Sequence, residues 1–315
     1  MTKTPIDIAV IGVPKSGTTS LYTWLAAHPD VQGSEPKETF YFIGFDGSHT
    51  QSRTFGDEGW PGFERFFPGE RNGRLRVEAS PSNVFSDTAL GAFTALERPP
   101  LTIVVVRCPA EQIRSGFYFA QNNGAEGNHV DPDLTFPAYV QALLDTDPEP
   151  LQRAVSNDRL RWYLTESLRR DKYVDALDRW SAQLPPEALM VVGFEQLTER
   201  PREVLDEICR RAGIDPTFYD NYSFTPMNRT LAQSQSHSPL RRFAMFLNRL
   251  VPAGRLHDRM ARAYRRLWPG QFLGSAAGDE TAAMMALGAY FAPHNQTLAE
   301  RYGVDVTSWW PHGPR

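Results

Sequence analysis

The feature that most constrains this chain is its first strand together with the turn and helix attached to it. Residues 6–13, Ile-Asp-Ile-Ala-Val-Ile-Gly-Val, are a largely β-branched apolar run. They pass directly into Gly12-Val-Pro-Lys15-Ser16-Gly17-Thr18-Thr19-Ser20, after which Leu21, Trp24 and Leu25 mark one face of a helix. The alternation continues. Residues 74–79 read as a half-buried strand, and residues 101–106 form a continuous apolar run bounded by Pro99-Pro100 and Pro109. Residues 189–192 are another such run, after which Pro201 can open a helix that buries Val204, Leu205 and Ile208. Strands alternating with helices predict an α/β fold, a central parallel β-sheet flanked by helices. A C-terminal helical extension completes it. Leu160, Tyr163, Leu164, Leu168, Val174, Leu177 and Trp180 fit a helical stripe with one slip. Residues 43–73 and 122–132 show no clear period and read as binding loops or disorder.

Composition removes several classes of function. With 33 Lys+Arg against 37 Asp+Glu the formal net charge is −4, so no whole-chain basic field exists to hold a nucleic acid polymer. The 41% hydrophobic and 12% aromatic residues are enough for a core. Two cysteines, Cys108 and Cys209, make neither a disulfide framework nor a zinc spacing, which fits a reducing compartment. Residues 6–13 are too short for a signal segment, and residues 101–106 fall far below the roughly 20 needed to span a bilayer. A cytoplasmic, soluble protein is expected, with one domain over 1–315 and its oligomeric state open. Within it, 225–280 reads as a basic helical insertion or lid. Residues 228–266 hold nine arginines and a single acid, Asp258, with Leu240, Phe243, Phe246, Leu247 and Leu250 on one face. This segment suits a lid over a cofactor or acceptor, a peripheral membrane contact through 240–266, or a packed helix with a solvated basic face.

The loop after the first strand carries the first chemical signal. Between a strand and a helix it presents backbone N–H groups and a helix N-terminus to an anion, which makes the fold P-loop-type. Gly12 and Gly17 have Walker spacing, yet Thr18 stands where a Walker loop needs lysine, and the lysine lies inside the loop at Lys15. An NTPase also needs an acid to hold Mg²⁺, commonly at the end of a neighbouring strand. The strand over 101–106 ends in Arg107 instead, with Ser115 eight positions further on the next helix. Guanidinium plus hydroxyl suits a phosphate that is bound but not transferred. Two separated phosphate sites and no metal match the chemistry of 3′-phosphoadenosine 5′-phosphosulfate.

These residues carry a resemblance. Pro14-Lys-Ser-Gly-Thr-Thr-Ser-Leu-Tyr22 resembles the 5′-phosphosulfate-binding loop of sulfotransferases. Val105-Val-Arg-Cys-Pro-Ala-Glu-Gln-Ile-Arg-Ser115 is similar to their 3′-phosphate motif. Lys37-Glu38-Thr-Phe-Tyr-Phe42 and Val77-Glu-Ala-Ser-Pro-Ser-Asn83 resemble two motifs of the heparan-sulfate-type members. Weaker similarity runs through Phe194-Glu-Gln-Leu197 and Phe291-Ala-Pro-His-Asn295. The resemblance implies an enzyme that binds this sulfonucleotide through Lys15, Ser16, Gly17, Thr18, Thr19, Ser20, Arg107 and Ser115. It also implies Glu38 as the base, since those enzymes place theirs at that position. Two departures stand out. Gln112 occupies a position where the family often has a second arginine, which implies either lighter contacts to the 3′-phosphate or substitution by Arg114 from a different helix angle, and Ala79 stands where heparan-type enzymes have lysine.

Sulfuryl transfer resembles phosphoryl transfer, with in-line attack and charge building on the leaving oxygen. Lys15 is the choice for stabilising the leaving phosphate, and Glu38 for accepting the proton of the attacking hydroxyl. Glu78, His49 and His129 are the reserve candidates for base, and Cys108 reads as a small buried hydrophobe. The expected reaction moves a sulfuryl group, without a metal, to a hydroxyl of a small or medium-sized acceptor such as a natural product, glycolipid or saccharide. The absence of a strongly basic field favours the smaller acceptors. The alternatives are a P-loop kinase or NTPase, and a non-catalytic nucleotide-binding interaction module.

Overall fold

The computed structural model describes residues 4–43, 53–122, 130–131, 133–147, 149–156, 158–225 and 277–309. The sheet has five strands: β1 (Ile8–Gly12), β2 (Val31–Gly33), β3 (Leu75–Glu78), β4 (Leu101–Val106) and β5 (Leu189–Gly193). They lie in the order β2-β3-β1-β4-β5, and every pairing is parallel. Ile8 pairs with Val77 on one side and Leu101 on the other, and Val106 of β4 pairs with Gly193 of β5. The helices are α1 (Thr18–Ala26), α2 (Phe55–Phe63), α3 (Asp87–Thr94), α4 (Pro109–Asn122), α5 (Phe136–Leu144) and α6 (Glu149–Ala154). They continue as α7 (Asp158–Thr165), α8 (Ser167–Arg170), α9 (Tyr173–Ser181), α10 (Phe194–Glu199), α11 (Pro201–Ala212) and α12 (Ala277–Tyr302). The expected parallel sheet, flanking helices and C-terminal helix are all present.

The described residues fall into two compact units. The first draws on Met1–Ile113, Leu168–Asn228 and Leu287–Arg315, and the second on Arg114–Ser167 and Arg229–Ala286. The first holds the whole sheet. Its two central strands, β1 and β4, are buried along their full length, which explains why both read as unbroken apolar runs. Because side chains alternate along a strand, Ile8, Val10, Ile103 and Val105 face one layer, with Leu21, Trp24, Leu205 and Ile208. Ala9, Ile11, Val104 and Val106 face the other, with Phe42, Phe63, Phe93, Trp180 and Leu298. Each fully buried aliphatic side chain stabilises the fold by roughly 1.5–3 kcal/mol, and the two layers clamp β1 and β4 from both sides.

In the second unit, Phe117 of α4 stacks on Tyr139 of α5 with ring centroids 5.0 Å apart, and Tyr139 donates its hydroxyl to the Leu164 carbonyl at 2.9 Å. Arg114 gives Nε and Nη2 to Glu280 Oε2 at 3.1 and 2.8 Å, so its guanidinium is committed to an acid at the start of α12. Tyr118 donates to the other oxygen of the same carboxylate at 2.5 Å.

Three sequence expectations need correction. The stripe over 160–180 is three helices, α7, α8 and α9, and its slip corresponds to the break around Asp171 and Lys172. The stretch over 43–73 is not all irregular, because it contains α2. That helix has a capping box between Thr54 and Asp57 and a break at Gly59, where φ is 56°. Aromatic residues on several sides of α2, packed on Tyr41, Phe42 and Phe93, hide its period. The strand β2 has no counterpart in the sequence pattern; at three residues it is too short to alternate visibly.

Candidate active site

Strand order decides where a ligand can sit. From β1 the chain goes to β3 and β2 on one side and to β4 and β5 on the other, so β1 and β4 flank the point where connections diverge. In open α/β sheets that switch point, at the carboxyl ends of the strands, leaves a crevice. The loop after β1 carries Lys15 and the turn after β4 carries Arg107, so the two cations predicted from sequence arrive at one edge.

The loop is shaped by two glycines with different physical reasons. At Gly12 a Cβ would lie 2.9 Å from the Val84 side chain, and the Trp180 indole holds that segment by donating to the Val84 carbonyl at 2.9 Å. At Gly17 the backbone is left-handed, with φ 80°, and serves as the N-cap of α1. A Cβ there would press on Leu197 at 3.2 Å and Phe194 at 3.3 Å. Lys15 itself is left-handed at φ 67°, a conformation that costs an L-residue roughly 1–2 kcal/mol and clusters at functional sites. Among the described residues no side chain caps α1, and no acid stands in its first turn. Its first N–H groups therefore lack intrahelical partners and face the loop with the positive end of the helix dipole. Ser16 is fully buried, and its hydroxyl is without a hydrogen-bond partner among the described residues. An orphaned donor beside uncapped amides fits an anionic group.

Several charges meet at this loop. Arg107 donates Nη1 to the Lys15 carbonyl at 3.3 Å, and its guanidinium lies 4.7 Å from the centre of the Phe194 ring. Glu111, one turn along α4, holds the other side of Arg107 at 3.5 Å. Burial, and after it the Arg107 charge, pulls the Lys15 ammonium down to about 8, while the Glu38 carboxylate acts in the opposite sense. Glu38 is thus within electrostatic reach of Lys15, although the two are far apart in sequence. Its Oε1 is 2.8 Å from Lys37 Nζ, and that ammonium also donates to the Ala79 carbonyl at 3.1 Å.

The other candidates divide. Glu78 is fully buried and accepts from the Thr39 hydroxyl at 2.9 Å, the Thr39 N–H at 3.4 Å, the Ser80 hydroxyl and the Asn83 amide at 3.3 Å. Burial pushes its carboxyl up, and the Ser80 and Thr39 donors oppose the rise. A buried carboxyl group ringed by its own donors holds two segments together. Gln112, at the position where the family often has a second arginine, is 1% exposed and donates to the Pro14 carbonyl at 3.1 Å, tying α4 to the loop. Thr18 and Ser20 are buried at the start of α1. Ser115 lies on α4 in the second unit. Cys108 is partly buried, its thiol pushed up by burial, and donates to the Trp309 carbonyl at 3.8 Å. His49, His129 and the basic stretch 228–266 fall outside the described residues. Two neighbours join the site that sequence patterns do not single out. Phe194 links Gly17 to Arg107, and its only signal is a weak motif; Lys37 is hidden in a mixed-charge run next to Glu38. Among the described residues no cluster of three His, Cys, Asp or Glu side chains could hold a metal, and no helix is long and apolar enough to cross a membrane.

A family model for the sulfotransferase domain matches residues 5–268. The chain belongs to the sulfotransferase family. That assignment does not favour the kinase reading, in keeping with Thr18 and Arg107 standing where a nucleotide kinase needs lysine and acid. Among curated relatives, the human bifunctional heparan sulfate N-deacetylase/N-sulfotransferase 3 is 28% identical over 68% of this chain, but this covers 23% of that protein. The human heparan sulfate glucosamine 3-O-sulfotransferase 3B1 is 25% identical over 72% of this chain and 53% of its own length. The chain therefore spans between about a quarter and a half of these relatives. In fold, it is similar to a solved sulfotransferase from Alicyclobacillus acidocaldarius, with a TM-score of 0.62 and 17% identity over 96% of this chain and 98% of that one.

Proposed function

We propose that this protein moves a sulfuryl group from 3′-phosphoadenosine 5′-phosphosulfate to a hydroxyl of a small or medium-sized acceptor, such as a natural product, glycolipid or saccharide. The observation that carries the reading is the electrostatic meeting of Lys15, Arg107 and Glu38 at the switch point of the sheet. The saccharide part is supported by the names of the relatives, which act on heparan sulfate.

Each residue has a separate task. Ser16, Gly17, Thr18, Thr19 and Ser20 hold the 5′-phosphate end through uncapped amides and hydroxyls. Arg107 holds the 3′-phosphate, which stays on the nucleotide throughout. Glu38 takes the proton of the attacking hydroxyl. As the acceptor oxygen bonds to sulfur, the bond from sulfur to the 5′-phosphate oxygen breaks, and its electron pair stays on that oxygen. Lys15 stabilises this developing charge. The products are the sulfated acceptor and adenosine 3′,5′-bisphosphate. Positioned cations and amides accomplish this without a metal, because the sulfuryl group carries less negative charge than a terminal phosphoryl group.

The test is transfer of label from the sulfonucleotide to a panel of hydroxyl compounds. Lys15→Ala and Arg107→Ala are each expected to reduce transfer at least about tenfold, the second mainly through donor affinity. EDTA should leave the rate unchanged. Full turnover and donor affinity in both variants, or strict Mg²⁺ dependence, would overturn the reading.

A further inference from the structure

We propose that Lys37 is a positioning residue whose ammonium holds the Glu38 carboxylate where it receives the acceptor's proton. This rests on the sulfuryl-transfer reading, with Glu38 as its base.

The backbone on both sides of Glu38 is pinned to the end of β3. The Lys37 carbonyl accepts from the Ala79 N–H at 3.3 Å and from the Ser34 hydroxyl at 3.1 Å. On the far side, Thr39 gives its N–H and hydroxyl to the buried Glu78 carboxylate, and Phe40 gives its N–H to the Ser80 hydroxyl at 3.2 Å. What remains free is the Glu38 side chain, which has three rotatable bonds and is 36% exposed. Lys37 removes that freedom. Its side chain is 17% exposed, and its ammonium lies 2.8 Å from Glu38 Oε1 while donating to the fixed Ala79 carbonyl at 3.1 Å. One of its three donors is thus anchored to rigid backbone and a second grips the carboxylate.

An ion pair this exposed contributes little to stability. Its leverage lies in orientation, because a misplacement of about 1 Å at a reacting group can cost on the order of 10²-fold in rate. The effect is confined to the proton step. A nucleophile that has already lost its proton attacks sulfur and expels the phosphate oxygen with nothing for Glu38 to collect.

The experiment uses the full chain, the sulfonucleotide as donor, and two acceptors. Water must give up a proton; 4-nitrophenol, at a pH where it is ionised, need not. Lys37→Met is expected to slow adenosine 3′,5′-bisphosphate release to water at least about tenfold, the size of a general-base loss. Transfer to 4-nitrophenolate should stay within about threefold, and the dissociation constant of adenosine 3′,5′-bisphosphate should not move. Lys37→Arg, which keeps a cation within reach, is expected to recover most of the water rate. Equal losses with both acceptors would assign Lys37 a general structural role and overturn the proposal, as would no loss with either. Glu38→Gln separates the two levels. If it shows the acceptor-selective loss and Lys37→Met does not, the positioning role fails while the base assignment stands. If neither variant is selective, or the wild-type chain transfers to neither acceptor, the underlying reading itself has failed.

Discussion

Asp171 sits in the break before α9 with a carboxyl that is 1% exposed, and neither of its oxygens has a hydrogen-bond partner among the described residues. Burial pushes the carboxyl from its ordinary 3.8 up to about 7, with the Arg170 charge opposing the rise. The group is therefore protonated in the folded chain over a pH range where the unfolded chain has already released its proton. Stability falls as pH rises through about 3.8 and levels off above about 7. At about 1.4 kcal/mol per unit, the cost at pH 8 has an upper bound of about 4 kcal/mol, and entry of water lowers it toward about 2. Asparagine has nearly the same shape and no charge to bury. Asp171→Asn should thus match the wild type near pH 4 and exceed it by about 2–4 kcal/mol at pH 8. Denaturant midpoints of the full chain at both pH values measure this. A difference independent of pH, or a wild type more stable than the variant at pH 8, would refute the reasoning. The outcome bears on the site, because Asp171, Cys108 and Arg107 all act electrostatically on the buried Tyr173 hydroxyl.

Two further predictions concern the loop. With the Lys15 ammonium held at about 8, affinity for adenosine 3′,5′-bisphosphate should be constant below that pH and fall by up to about tenfold per unit above it, as the cation is lost. Calorimetric titration from pH 7 to 10 measures it; Lys15→Arg should flatten the profile, and a flat wild-type profile would contradict the assignment. Gly17→Ala must place a Cβ at φ 80°, 3.2 Å from Leu197 and 3.3 Å from Phe194. We expect a loss of about 1–2 kcal/mol in stability together with weaker nucleotide binding. Unfolding and binding curves indistinguishable from wild type would show that the loop tolerates the methyl group.

Much of the fold is legible in the sequence because burial on both faces leaves a simple mark. β1 and β4 are central strands, so every residue from Ile8 to Gly12 and from Leu101 to Val106 is buried, and both appear as uninterrupted apolar runs. α11 is readable for a different reason: Pro201 opens it, Gly213 closes it in the left-handed conformation, and one face is apolar between them. α2 is not readable, since its aromatic residues pack against neighbours on several sides and Gly59 and Pro61 interrupt it. β2 escapes because three edge residues carry no period.

The site divides along the same line. Lys15 and Arg107 can be picked out locally, the first by its place inside a strand–loop–helix turn and the second by its place at a strand end. Those are statements about neighbours in the chain, which local sequence encodes. Whether Glu78 or Glu38 faces the reaction is a tertiary matter. Both stand in similar motifs, and only the packing of β3 against residues 34–42 buries Glu78 among four donors and leaves Glu38 beside Lys37, within reach of Lys15. The role of Lys37 is likewise invisible in sequence, where it is one charge in a short mixed run; its significance comes from the Ala79 carbonyl, supplied by a distant strand. The sequence by itself determined the class of fold and the two turns that carry Lys15 and Arg107, because each depends on residues adjacent in the chain. The tertiary structure decided which carboxyl is buried among donors and which backbone carbonyl anchors the lysine beside Glu38, because parallel strands joined by crossovers bring together residues that no local pattern connects.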